Sequence, residues 1–254
     1  MSAGRLIRAP ALLGVLLVAG LLSAVIVALG IDAWWADRLY AWQGDRWAAR
    51  DAWWSAGLVH TGGRRLSIAC WLAVVVAWGL SWTGGLPRTW RAPLGYLLSA
   101  VPLACLLVAW LKAHTGIDCP WDLQRYGGAR PWLSPFASRP AAMGAAACFP
   151  AAHAAAGYAW VAAYFACSAA GPAMRRWRHV ALAAGLALGA VFGLVQQLRG
   201  AHFLSHDLWS LTVCWLVAAG LARLCLYAQL RGAERASNAV QPSVIARALR
   251  GAHP

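Results

Sequence analysis

The chain has 254 residues, is 61% hydrophobic and only 12% charged, and carries a formal net charge of +14. So apolar a composition excludes an ordinary soluble domain. The basic excess would point to nucleic acid in a soluble protein, but here it sits in short loops between apolar runs, which implies the lipid bilayer and its anionic headgroups as partners and no nucleic acid.

A spanning helix needs about 20 apolar residues. Stretches at roughly residues 11–30, 66–86, 93–113, 147–170, 179–198 and 207–228 meet that length. They predict an all-α integral membrane protein with a six-transmembrane-helix bundle over residues 1–230 and a basic tail over 231–254. The first run is long enough to span and has no clear small-residue cleavage site followed by a soluble domain, so it reads as a helix and not as a removable signal. Arg5 and Arg8 precede span one, and Arg88 and Arg91 join spans two and three. Arg175, Arg176 and Arg178 join spans four and five, while Arg231, Arg235, Arg247 and Arg250 follow span six. The positive-inside rule puts these short basic loops, the tail and both termini in the cytoplasm. The other loops then face outward.

The first outer loop, residues 32–65, holds Trp34, Trp35, Tyr40, Trp42, Trp47, Trp53 and Trp54 among charged residues. Tryptophan prefers the membrane interface, so one or two surface helices with an anchoring role are expected there. The second outer loop, residues 114–146, carries Gly127, Gly128, Pro131, Pro135 and Pro140 and should be irregular. In the tail, a short helix is expected over residues 244–249. Five of the seven cysteines lie inside spans, whereas Cys119 and Cys148 flank the second outer loop. An oxidising compartment would let these two pair, closing a loop of about 30 residues and restricting it by roughly 3–4 kcal/mol. Two free, half-buried thiols are the alternative.

Three segments at the outward ends of spans carry chemistry. Lys112, the only lysine, ends span three; snorkelling to the interface is the bland reading, and phosphate binding the functional one. Phe149-Pro150-Ala151-Ala152-His153 opens span four. Proline suits a first helical turn, free N–H groups there hold anions, and a histidine at that point can protonate a leaving oxygen. Ala151 and Ala152 leave the backbone approachable. In Arg199-Gly200-Ala201-His202-Phe203-Leu204-Ser205-His206-Asp207, Arg199, His202 and His206 share a face if the stretch is helical. Gly200 argues for a break instead. A histidine pair four apart also fits a metal or haem, and a structural role at a helix end is a third reading.

Together these segments resemble the type 2 phosphatidic acid phosphatase (PAP2) superfamily of membrane enzymes, in a divergent bacterial form. That family carries K-x6-R-P, then P-S-G-H, then S-R-x5-H-x3-D, on a six-helix core. Lys112 and Pro120 match the first motif, Pro150 and His153 the second, and His202 the third. The resemblance implies that Lys112 binds phosphate, His153 is the general acid and His202 is the nucleophile that forms a phosphohistidine, with no metal and no cofactor. The chain departs from the family at Cys119 in place of arginine, at Ala151 and Ala152 in place of Ser and Gly, at Gln196 in place of arginine, and at His206 in place of aspartate. Arg199 would supply the missing guanidinium, and Asp207 or His206 would orient His202. Arg125, Arg130 and Arg139 are further candidates for phosphate charge.

The function expected is that of a membrane lipid phosphatase, a phosphoric monoester or pyrophosphate hydrolase, in a bacterial inner membrane with its active site facing the periplasm. Phosphatidic acid, phosphatidylglycerophosphate, undecaprenyl pyrophosphate and lipid A are the substrates such a site would meet. Lipid-to-lipid phosphotransfer is a close alternative, and a non-catalytic relative that binds lipid phosphate is another. A haem- or metal-binding membrane protein using His153, His202 and His206 belongs to a different class, and Lys112 and Arg199 argue against it because cations repel a metal.

Overall fold

Every regular element among the described residues of the computed structural model, which are 3–134 and 137–232, is helical. The main elements are α1 (Ala9–Ala28), α2 (Ile31–Trp42), α3 (Gly63–Thr83), α4 (Arg91–His114), α5 (Ala152–Tyr158), α6 (Ala162–Ala169), α7 (Arg178–Leu198) and α8 (Leu204–Cys225). The helix expected over residues 244–249, and nearly all of the basic tail, lie outside the described residues.

Among the described residues, five helices are long and apolar enough to cross a membrane: Ala9–Ala28, Trp53–Thr83, Arg88–His114, Arg178–Leu198 and Leu204–Cys225. Four of them follow the apolar runs closely. The second is longer than its run, because a π-helical segment, Trp53–Gly62, continues straight into α3.

The fourth apolar run differs from expectation. It is divided into α5 and α6 by a 3-10 turn at Ala159–Val161. The division coincides with very close packing against α7. A Cβ added to Gly185 would lie 2.7 Å from Val161 N, and one added to Gly157 would lie 2.5 Å from Gly189 N. Small residues allow such backbone approach between apolar helices. Gly185, Gly189 and Gly193 recur every four residues and so form one face of α7. The α5–α6 segment is the centre of the bundle: Ala154, Ala155, Tyr158, Val161, Ala162 and Phe165 are all buried. By contrast Leu13, Leu17 and Leu21 on α1 are exposed, as a lipid-facing helix requires.

Of the one or two surface helices expected in the first outer loop, α2 is a separate helix, whereas the Trp53–Gly62 segment is continuous with α3 and part of the second long apolar helix. Trp34, Trp42 and Trp53 are exposed, whereas Ala36 of α2 joins Leu123, Tyr126 and Phe203 in a second small core, with Tyr40 and Trp47 packed against it. This core ties both outer loops to the chain between α7 and α8. The second outer loop is irregular, with 3-10 turns at Pro120–Asp122 and Gln124–Tyr126 and an isolated bridge between Leu123 and Arg130.

Candidate active site

The three chemistry-bearing segments meet at one end of the bundle and are linked by backbone hydrogen bonds. Ile117 C=O accepts from Cys148 N–H at 3.0 Å, Gly200 C=O from Trp121 N–H at 2.9 Å, and His206 C=O from Ala151 N–H at 3.3 Å. The Thr115 hydroxyl donates to Phe149 C=O. Cys119 and Cys148 are joined by a disulfide, with Cα atoms 5.3 Å apart, so the loop between the first two segments is closed at its base.

The third segment is not one helix. Arg199 caps α7, and Gly200 turns the chain with φ +71°. Glycine suits that conformation, and it is also required sterically, since a Cβ there would lie 2.4 Å from the Trp47 ring. His202 therefore lies in the connecting loop and His206 in the first turn of α8. Both imidazoles are buried, and their Nδ1 atoms are 3.3 Å apart. Burial holds His202 well below the ordinary histidine pKa, and the adjacent His206 and the charge of Lys112 act in the same direction. The ring is thus neutral and keeps a lone pair for nucleophilic use.

Asp207 does not face His202. Its carboxylate accepts from the Gln197 amide, and Gln197 Oε1 in turn accepts from Trp35 Nε1–H at 2.7 Å. The second carboxylate oxygen is buried without a partner, and Gly193 lies so close that a Cβ would come within 2.3 Å of Asp207 Oδ2. Consecutive helical residues point about 100° apart, which turns Asp207 toward α7 while His206 faces the loop. Of the two residues expected to orient His202, His206 is the one in contact.

His153 sits one turn into the bundle, its ring between His60 and Phe192 at centroid distances of 4.4 and 4.8 Å. Its Nε2 is buried and unpartnered. Lys112 is half-buried with no carboxylate partner among the described residues, and it lies close enough for its charge to act on both His153 and His202. Arg199 likewise acts on His153. Its guanidinium donates to Gln196 Oε1 at 3.1 Å and to Arg50 C=O at 2.8 Å. Ala152 begins α5 and is half-buried, whereas Ala151 is fully buried with its N–H engaged by His206. Only Ala152 remains approachable.

The loop arginines are committed elsewhere. Arg125 donates to both Asp37 oxygens, and this pairing holds the Asp37 carboxyl below its ordinary range. Arg130 and Arg139 converge on Asp118. Burial alone would push the Asp118 carboxyl up, but the hydrogen bonds from Arg139 and Arg130 outweigh it and hold it low. All three arginines are thus ion-paired within the loops.

Two contributors escaped the sequence reading. His60 packs on His153, and its Nδ1 lies within hydrogen-bond reach of the Gln196 amide, linking Arg199, Gln196, His60 and His153 in one chain of contacts. Gln197 holds Asp207. The only signal for His60 was a histidine six residues before the second apolar run.

The sequence model of the PAP2 superfamily matches residues 93–229, just over half of the chain. Neither a curated protein nor a solved structure matches it. The matched region contains Lys112, His153, Arg199, His202 and His206, and it excludes α1, α2 and His60.

Proposed function

Because the chain belongs to the PAP2 superfamily, whose members are mostly phosphatases, we propose that it hydrolyses a phosphate monoester or pyrophosphate of a membrane lipid through a phosphohistidine on His202. One observation carries this reading: a buried histidine pair, His202 and His206, lies within the field of Lys112 and close to a third histidine, His153, whose Nε2 has no partner.

Nδ1 of His202 is turned to His206, which leaves Nε2 for phosphorus. Attack forms the N–P bond and breaks the P–O bond to the lipid, while His206 supports the positive charge that grows on the His202 ring. Lys112 and Arg199 offset charge on the phosphate oxygens, as fixed cations do in phosphoryl transfer. His153 gives its proton to the leaving oxygen and then takes one from the water that cleaves the N–P bond. Ala152 leaves room for the phosphate beside the backbone at the start of α5. Asp207 is a positioning residue that fixes α8 against α7 through Gln197.

The same reading gives six membrane crossings, with α5 and α6 together forming the fourth, and both termini in the cytoplasm. The basic loops support that orientation. The active site would open at the periplasmic face of a bacterial inner membrane, where phosphatidic acid, phosphatidylglycerophosphate, undecaprenyl pyrophosphate and lipid A are the available phosphates. Phosphate release from a panel of these lipids, comparing the protein with His202→Ala, tests the proposal. Release lost in the variant supports it. Equal release by both overturns the nucleophile assignment, and lipid binding without release would favour a non-catalytic phosphate binder or a phosphotransferase lacking its acceptor.

A further inference from the structure

Cys148 stands directly behind the histidine pair. Its Sγ lies 3.6 Å from His202 Nδ1, which is itself 3.3 Å from His206 Nδ1. All three residues are buried, and their three donor atoms lie within 4.8 Å of one another. A tetrahedral zinc ion with Zn–N near 2.05 Å and Zn–S near 2.3 Å requires donor separations of about 3.3 Å for N···N and about 3.6 Å for N···S. Two edges of that tetrahedron are thus already in place. The third, from sulfur to a His206 ring nitrogen, is no longer than 4.8 Å and must close to about 3.6 Å, a movement open to the cysteine side chain once its bond to Cys119 is broken.

We propose that the Cys119–Cys148 disulfide masks a Cys–His–His site for a zinc-class divalent metal, which assembles when the disulfide is reduced. The reductant is a dithiol. One thiolate attacks Cys119 Sγ, the sulfur of the half-buried partner, and forms a mixed disulfide as the S–S bond breaks. Cys148 leaves as a thiolate beside His202 and His206. The second thiol resolves the mixed disulfide, so Cys119 ends as a thiol and the reductant as its own disulfide. The metal then binds the Cys148 thiolate and two neutral imidazoles, with one position open. The thiolate matters here because Lys112 lies nearby. It cancels one of the two metal charges, which a histidine-only set beside a lysine does not.

On the proposed phosphohistidine mechanism, on which this step alone rests, the metal stops turnover. A neutral imidazole has one lone pair. Coordination through Nδ1 uses it and leaves a proton on Nε2, the nitrogen that must attack phosphorus. The disulfide therefore does more than close a loop: it keeps the best metal ligand in the site away from the nucleophile.

The decisive measurement is zinc content of the full-length protein in detergent after removal of loosely held metal with a weak chelator. Oxidised protein should retain less than about a tenth of an equivalent, and dithiol-reduced protein about one equivalent per chain. Cys119→Ser should take up the same equivalent with no reductant, and Cys119→Ser/Cys148→Ser should lose it. Cobalt in place of zinc should give a thiolate-to-cobalt charge-transfer band in the single variant that is absent from the double variant. Equal zinc in the single and double variants overturns the site, and the reduced wild-type protein decides the question if Cys119→Ser does not fold. Phosphate release forms a separate arm. Zinc should lower it at least roughly 10-fold in Cys119→Ser and leave the double variant unchanged. Zinc bound through Cys148 with no release by the metal-free protein would refute the phosphatase reading while leaving the metal site standing.

Discussion

The Nδ1 atoms of His202 and His206 lie 3.3 Å apart in a pocket from which both rings are almost wholly shielded from solvent. The family motif has a carboxylate at the position of His206, so on the proposed mechanism an imidazole would do the orienting here. His206→Ala should lower kcat by about 10²-fold, the cost typical of a misplaced reacting group, with a much smaller change in KM. Steady-state kinetics on the best lipid substrate would check this, and an unchanged kcat would free His202 of any dependence on His206. Because burial depresses the His202 pKa, the nucleophile should stay active well into the acid range. The acid limb of kcat/KM set by His202 should therefore fall below the ordinary histidine value of about 6.5.

The His60–His153 stack predicts a dependence of the acid on a residue outside the matched family region. His60 reaches Gln196 and covers one face of His153, and Phe192 covers the other. His60→Phe keeps a ring in the stack and loses the contact to Gln196. It should cost about 10-fold in kcat and shift the basic limb of the pH–rate profile, whereas His153→Ala should cost on the order of 10²–10⁴-fold. A His60→Phe protein with a wild-type profile would reduce the stack to packing.

Much of this was legible from the sequence, for identifiable reasons. Apolar run length located the long helices, because a bilayer dictates span length directly. The convergence of the segments that carry His153, His202 and Lys112 was legible through their order and spacing, and the Cys119–Cys148 bond through the two cysteines flanking one predicted loop. The break in the fourth run was not, because it lies where Val161 and Gly157 press against Gly185 and Gly189, a contact between distant segments. The same applies to His60 and to Gln197, whose partners are set by tertiary packing. Arg125, Arg130 and Arg139 looked like free charge because nothing local pairs them. Asp37 and Asp118 reach them only through the folding of the outer loops.

Lys112 tests whether its singularity has a chemical basis. Lysine presents a compact charge on a flexible stem, whereas arginine presents a planar fork that is larger and geometrically restricted. Lys112 is half-buried in the last turn of α4, where a larger side chain changes the placement of the charge. Lys112→Arg should lower kcat/KM by about 10-fold and Lys112→Ala by about 10²-fold or more. A fully active arginine variant would make Lys112 an interfacial anchor.

Asp118 gives a pH prediction of the same sign as that of His202 but from the opposite cause: burial disfavours the charged ring there, whereas two arginines favour the charged carboxylate here. It is 7% exposed and accepts from two arginines of the second outer loop, Arg130 and Arg139. Its folded pKa lies below the ordinary carboxylate value of about 3.9, so its contribution is complete above that value and disappears as pH falls through the folded pKa. Asp118→Asn removes the ionised partner and should cost about 2 kcal/mol at neutral pH, the scale of hydrogen bonds to a charged group. Thermal unfolding at pH 7 should separate the variant from the parent protein by a few degrees, and the two should converge in acid once the pH has fallen through the folded Asp118 pKa. A gap that persisted unchanged in acid would mean that Asp118 acts through its shape and neutral hydrogen bonds, and that the paired arginines contribute nothing through their charge.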